Sequence, residues 1–249
     1  MRVTVLGYQS PYPGPNGATP GYLVETKAVR LLLDCGSGVL AQLNKYAPLY
    51  ELDALLLSHY HHDHVADVGV LQYGLMVHQL FGDREEHLPL PIYAPAHPTA
   101  ETDRLPYKQA TSFYPVMESS KLAIGDVEID FLRTDHGNGD PCYAMRLVSE
   151  GKVLVYGADS GPGTNWDRFA SGADLFICEG TYLDRTKPKT ANGHLSVREA
   201  AQLAERLACR ALLITHLYHA YEREEVEREA DAYTAGTCHI ARIGLQITV

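Results

Sequence analysis

The sequence has no apolar run approaching the roughly 20 residues that a membrane helix requires, and it shows no signal-peptide pattern at its start. It has no basic surplus either: 21 lysines and arginines stand against 31 aspartates and glutamates, a net charge of −10. That balance argues against broad binding to phosphate backbones, which relies on Lys and Arg. A phosphate ester held through bound cations remains open, because cations reverse the local field. Closely spaced cysteines are missing as well. The five that occur (Cys35, Cys142, Cys178, Cys209 and Cys238) are odd in number and far apart. They read as reduced thiols, mostly buried, in a cytoplasmic protein. No low-complexity linker divides the chain, so residues 1–249 are expected to form one domain.

What the sequence does contain is ordinary for a soluble protein, 45% hydrophobic and 21% charged, in a chain long enough to bury a large core. Short runs of Val, Leu and Ile alternate with helical patterns. The runs predict strands at Arg2–Leu6, Tyr22–Glu25, Val29–Asp34, Ala54–Ser58, Ile92–Ala94 and Val127–Arg133. They continue at Tyr143–Val148, Val153–Tyr156, Leu175–Cys178, Ala211–Thr215 and Arg242–Val249. Helical spacing predicts helices over Val39–Lys45, Val65–Phe81, Val197–Leu207 and Glu222–Ala235. Ser196 and Glu199 have the spacing of a capping box at the start of the third. Two stretches read as connections: Gln9–Gly21, with four prolines and three glycines, and the mixed polar span His97–Glu118.

A weak internal echo links two segments. Val29–Gly38 carries an apolar run into Asp34-Cys35-Gly36, and Lys152–Gly161 carries another into Asp159-Ser160-Gly161. In each case a further apolar strand follows and ends in polar residues. Two such halves facing each other would gather their strand ends at one rim, where ligand sites collect.

The densest chemistry follows the apolar run Leu55–Leu57. In Ser58-His59-Tyr60-His61-His62-Asp63-His64, four of the 12 histidines fall within six positions. While strand geometry persists, His59 and His61 face one side. Asp63 and His64 sit where the chain turns into a helix and approach from another direction. Imidazoles with a carboxylate are ligands for zinc, manganese or iron. More ligand types stand at other strand ends: His136 after Val127–Arg133, Asp159 after Lys152–Tyr156, and His216 after Ala211–Thr215.

These residues together resemble the metallo-β-lactamase superfamily, whose His-x-His-x-Asp-His signature stands here as His59 to His64 and whose remaining motifs match Asp34, His136, Asp159 and His216. The resemblance spans essentially the whole chain. It implies an α/β fold, a four-layer αββα sandwich, with two divalent metal ions at one edge, zinc being expected and manganese the alternative. By the same resemblance His59, His61 and His136 hold one ion, Asp63, His64 and His216 hold the other, and Asp159 bridges them. Asp34 would tie the geometry of the cluster to the neighbouring strand.

Within the superfamily the chain is most similar to the phosphodiesterase branch that includes ribonuclease Z. Asp159 at the bridging position suits a phosphoesterase. Gly193-His194-Leu195-Ser196 resembles the segment that supplies a catalytic histidine there, and Cys178-Glu179-Gly180-Thr181 retains the Glu and Thr of a family motif. The resemblance thus implies that His194, oriented by Glu179, donates a proton to the leaving group, while Asp63 orients the attacking water as it ligates. Two departures argue against tRNA as substrate. Only 22 residues separate His136 from Asp159, too few for the arm that grips tRNA, and the segment after His216 reads Leu217-Tyr218-His219-Ala220-Tyr221 without the usual Arg.

The expected substrate is therefore a small phosphodiester: a cyclic nucleotide, a cyclic ribose phosphate or a short RNA. Hydrolysis of carbon esters, lactones or thioesters on the same metals, or metal binding without catalysis, are the rival readings. No substrate-binding residue is fixed by the sequence, although the loop Gln9–Gly21, with Tyr8, Tyr12, Asn16 and Tyr22, is placed to cover a ligand. Val70, Tyr73, Met76, Val77, Leu80 and Phe81 give one predicted helix more apolar surface than a single core face needs. Together with the resemblance, this implies a homodimer.

Overall fold

In strand after strand, neighbouring apolar residues leave for opposite faces and both faces are covered. Leu31 and Leu33 enter a core shared by two sheets, while Leu32 enters a second core beneath helices. Leu154 and Tyr156 join the shared core, and Val155 a third. Period-two alternation with no polar face is what a sheet buried on both sides demands. The layers are therefore helix, sheet, sheet, helix, as expected from the sequence.

The computed structural model describes every residue except 86, 87 and 138. The first half of the chain gives β1 (Arg2–Gly7), β2 (Gln9–Ser10), β3 (Gly21–Glu25), β4 (Arg30–Leu33), β5 (Ala54–Leu56), β6 (Leu90–Pro95) and β7 (Thr111–Val116). Its helices are α1 (Val39–Leu43), α2 (His62–Val65), α3 (Val68–Phe81) and α4 (Thr99–Thr102). The second half gives β8 (Lys121–Ile124), β9 (Val127–Arg133), β10 (Tyr143–Ser149), β11 (Lys152–Tyr156), β12 (Leu175–Glu179), β13 (Ala211–Thr215), β14 (Leu217–Tyr218), β15 (Thr237–Ile240) and β16 (Gln246–Thr248). Its helices are α5 (Val197–Arg206) and α6 (Arg223–Asp231).

Among the described residues, one seven-stranded sheet runs β16-β1-β3-β4-β5-β6-β7 and the other β15-β13-β12-β11-β10-β9-β8. The internal echo now has a structural meaning. β3 and β4 are antiparallel and β4 and β5 parallel, just as β10 and β11 are antiparallel and β11 and β12 parallel. Asp34 and Asp159 follow the equivalent strands β4 and β11. The ends of β4, β5, β9, β11, β12 and β13 meet at one rim.

Several sequence boundaries shift. The helix expected over Val65–Phe81 is two helices, interrupted at Ala66 and Asp67. There the Asp67 amide donates to the Cys35 carbonyl at 3.0 Å and its carboxylate accepts from the Leu40 amide at 3.1 Å. These contacts hold the interrupted segment to the first half of the fold. His97–Glu118 is not a bare connection, since it contains α4 and the edge strand β7. The last strand is only Gln246–Thr248, because Gly244, at φ 82°, turns the chain just before it. The helix expected over Glu222–Ala235 ends at Asp231.

Candidate metal centre

Two cradles of ligand atoms share one carboxylate. Asp159 directs Oδ2 toward His59 Nε2 and His136 Nε2, each at 3.6 Å. His61 joins them, its Nδ1 3.0 Å from His136 Nε2. The other oxygen, Oδ1, lies 3.2 Å from both His64 Nε2 and His216 Nε2. Asp63 completes this second cradle, with Oδ2 3.3 Å from His216 Nε2 and 3.9 Å from His64 Nε2. All seven residues predicted as ligands are thus brought together in groups that could hold metal ions.

Hydrogen bonds at the back of each imidazole decide which nitrogen faces inward. Ser58 Oγ donates to Asp34 Oδ2 at 2.8 Å, so it accepts from His59 Nδ1 at 3.0 Å and leaves His59 Nε2 as a lone pair. His136 Nδ1 donates to the Gly193 carbonyl at 3.0 Å. His64 Nδ1 meets Asp34 Oδ2 at 2.7 Å, and His216 Nδ1 meets Thr181 Oγ1 at 2.8 Å. His64 Nε2 and His216 Nε2 consequently face each other across 3.3 Å. His59 Nε2 and Asp159 Oδ1 are buried without a hydrogen-bond partner among the described residues. Lone pairs converging in a buried space repel one another, and a divalent cation resolves that repulsion. The donor set therefore fits metal ions.

The electrostatics agree. Burial opposes the charge on Asp159, but His216 and His64 hold its carboxyl well below the usual carboxylate range. Burial, and then the neighbouring His64, push His59 well below the ordinary imidazole value, leaving it neutral for ligation. Burial also works against a charge on His64, yet Asp159 and Asp34 outweigh it and raise that imidazole well above its ordinary value. A cation at His64 Nε2 must displace that proton.

Local backbone explains how so many groups converge. Asp34, Ala158 and His216 occupy the left-handed region, with φ of 55°, 50° and 56°, each just past the end of its strand. Non-glycine residues are uncommon there, and the conformation costs of order 1–3 kcal/mol where the surroundings impose it. Gly36 cannot be replaced without movement: a Cβ there would lie 2.0 Å from the Asp63 carbonyl oxygen.

Asp34 sits among hydrogen bonds to the cluster and to both sheets. Fully buried, it accepts from the Ser58 amide at 2.7 Å, from Ser58 Oγ and from the Tyr156 hydroxyl, and it holds His64. His194 lies on the same rim, its ring stacked on His216 with centroids 5.4 Å apart. Its Nδ1 is 2.9 Å from Oε1 of the fully buried Glu179. Burial lowers His194, but the Glu179 charge and hydrogen bond raise it to about 9. His194 is also within ligand reach of Asp159 and His216.

Not every candidate keeps its expected place. Tyr22 is completely buried, with its hydroxyl on Thr215 Oγ1 at 2.5 Å, and it cannot contact a ligand. Tyr12 is exposed instead, packed beside His219. Sequence reasoning missed Ser10, whose hydroxyl donates to Asp63 Oδ2 at 3.1 Å, along with Ser58 and Tyr156. Ser58 carried one usable signal, its place directly before His59. Ser10 and Tyr156 carried none, since each meets its partner only through the fold.

Fold and donor set together define a metal-dependent hydrolase. The chain belongs to the beta-lactamase superfamily, whose domain matches residues 29–217. It is 38% identical over 245 residues to the probable metallo-hydrolase YhfI of Bacillus subtilis, covering 98% of each chain. The crystal structure of YhfI, with a metallo-β-lactamase fold, matches at a TM-score of 0.93 with 37% identity, over 99% of this chain and 98% of that one. A ribonuclease Z of Mycobacterium bovis is 30% identical over 243 residues, 87% of this chain and 85% of its own. The short form of human tRNase Z shares the fold, at a TM-score of 0.77 and 20% identity, over 100% of this chain and 99% of that one.

Proposed function

We propose that the chain is a dinuclear phosphodiesterase acting on a small phosphodiester. The observation that carries this reading is the division of the Asp159 carboxylate, one oxygen toward His59 and His136 and the other toward His64 and His216. His59, His61 and His136 would hold one cation, and Asp63, His64 and His216 the other, with Asp159 between. Zinc suits this imidazole-rich set, and manganese is the alternative. Two such ions, when bound, would supply an ionised water at neutral pH and withdraw charge from the phosphoryl oxygens.

The chain's own residues do the rest. Asp63, fixed by the Ser10 hydroxyl, would orient the attacking water. His194 has its Nδ1 committed to Glu179, which leaves Nε2 to protonate the departing alkoxide. The buried Glu179 carboxylate keeps that imidazole charged until the proton leaves.

The cavity beside the site, about 530 Å³, favours a small substrate. Its described lining includes Glu101, Asp140 and Asn192 together with site histidines, and no Lys or Arg. Apart from His194, that lining offers further phosphates no cation beyond the metal ions, so a single phosphodiester fits better than a long polyanion. The span from His136 to Asp159 is largely the hairpin of β10 and β11 within the sheet, which supports the same reading. A relative that is a ribonuclease Z keeps short RNA among the candidates.

A homodimer is part of this reading. On α3, Val70, Tyr73, Leu80 and Phe81 are 59% to 74% exposed, while Met76 and Val77 are half-buried. Such a contiguous apolar face suits a second copy.

The test is a substrate panel with metal-replete protein. Bis-p-nitrophenyl phosphate and a cyclic nucleotide should be cleaved, and lactones and thioesters left intact. Turnover of the carbon esters alone would assign the site to acyl chemistry.

A further inference from the structure

Thr181 stands between two parts of the site that are otherwise separate, the second cation cradle and the proton-donor pair. Its side-chain oxygen is 2.8 Å from His216 Nδ1, 2.5 Å from Glu179 Oε2 and 3.3 Å from His194 Nδ1. A hydroxyl has one proton to give and two lone pairs to receive. Four donors converge on the Glu179 oxygens: the Ser160 amide at 2.7 Å, the Leu195 amide at 3.2 Å, His194 Nδ1 at 2.9 Å and the Thr181 hydroxyl. That arrangement fits a carboxylate that only accepts, so the Thr181 proton points to Glu179. His194 Nδ1, closer to Glu179 than to Thr181, also donates to the carboxylate.

With its proton committed, Thr181 can only accept from His216. The proton that His216 keeps as a ligand must then sit on Nδ1, so that Nε2 can present its lone pair to a cation. We propose that Thr181 is the positioning residue that sets the ligand tautomer of His216 and, through the same hydroxyl, fixes the Glu179–His194 pair. One oxygen thereby ties readiness to hold the second cation to readiness of the proton donor. The first cradle does not depend on it, because Ser58 and Gly193 orient His59 and His136.

This inference rests on the two-ion reading, and competition titration with a chelating dye, reading zinc affinity directly, separates the two. Thr181→Val keeps the branched shape but removes both hydrogen-bonding roles. It should weaken the second ion about 10- to 100-fold, the range seen when such supporting partners are lost. The first ion should bind as in the wild type, and Thr181→Ser should restore the second. Equal second-ion affinity in wild type and Thr181→Val would overturn the proposal. So would loss of both ions together, or failure of Thr181→Ser to restore binding, since either outcome makes Thr181 a packing residue. A wild type that saturates with one ion would remove the two-ion reading and this inference with it. If Thr181→Val does not fold, nitrogen-15 imidazole spectra of the metal-free wild type, taken at a pH where His216 is neutral, decide the matter. They must show His216 protonated at Nδ1, and a proton at Nε2 would overturn the proposal.

Discussion

The Tyr156 hydroxyl, at the end of β11 in one sheet, donates to Asp34 Oδ2, just past β4 in the other, at 2.5 Å. Both residues are buried, and the same Asp34 oxygen also meets His64 and Ser58. A hydrogen bond to a buried charged group contributes about 1.5–3 kcal/mol. Tyr156→Phe should cost that much in a urea titration of metal-free protein while leaving the fold intact. An unchanged midpoint would mean that Asp34 needs no donor from the opposite sheet.

Metal content tests the shared carboxylate. Freshly purified protein should hold close to two ions per chain, and Asp159→Ala should hold fewer. Each ion present at 100 times its dissociation constant should stabilise the fold by about 2.7 kcal/mol. Chelation should therefore lower the melting temperature, and zinc should restore it. Saturation of the wild type at a single ion would refute the assignment of Asp159 as a bridge.

The role of His194 can be read from leaving groups. A nitrophenolate departs readily without a proton, whereas a sugar alkoxide needs one. His194→Ala should lower kcat for a cyclic nucleotide by about 10²–10⁴ and largely spare bis-p-nitrophenyl phosphate. Glu179→Gln should show a weaker version of the same selectivity. Equal loss on both substrates together with loss of metal would make His194 a ligand, a role its closeness to Asp159 and His216 also permits.

The apolar face of α3 predicts an assembly that a charge should break. Light scattering at micromolar concentration should give twice the chain mass of 27.5 kDa. Leu80→Lys with Phe81→Glu should give the single-chain mass, since both side chains are among the most exposed apolar groups on the helix. A wild type already at 27.5 kDa would rule out the dimer.

Most of the site was legible because its residues are clustered in sequence or stand at the ends of apolar runs. The strands Val127–Arg133 and Ala211–Thr215 were predicted to the residue, and the capping box of Ser196 and Glu199 forms as its spacing implied. The edges were harder. β7 contains Pro115, tolerated because, among the described residues, β6 is the one strand it pairs with, and its polar content masks it as a loop. β15 is another edge strand, paired among the described residues with β13 alone, and has too little alternation to stand out. Supporting hydroxyls were the least visible. Ser10 meets Asp63 across 53 positions and Thr181 meets His216 across 35, distances over which no local pattern operates.

The matching strand orders of the two sheets carry one more consequence. His59, His61, Asp63 and His64 come from the first half of the chain, and His136, Asp159 and His216 from the second. Each cradle thus takes two of its three principal ligands from one sheet and the third from the other. A cation in either would act as a rivet across the seam, and the fold would be fastened by the same atoms that give it chemistry. Prying the two sheets apart at that rim would then require releasing both ions. Amide hydrogen exchange in the segments just past β4, β5 and β11 would accordingly slow on metal loading, while the far edge strands β7 and β15 would exchange as before.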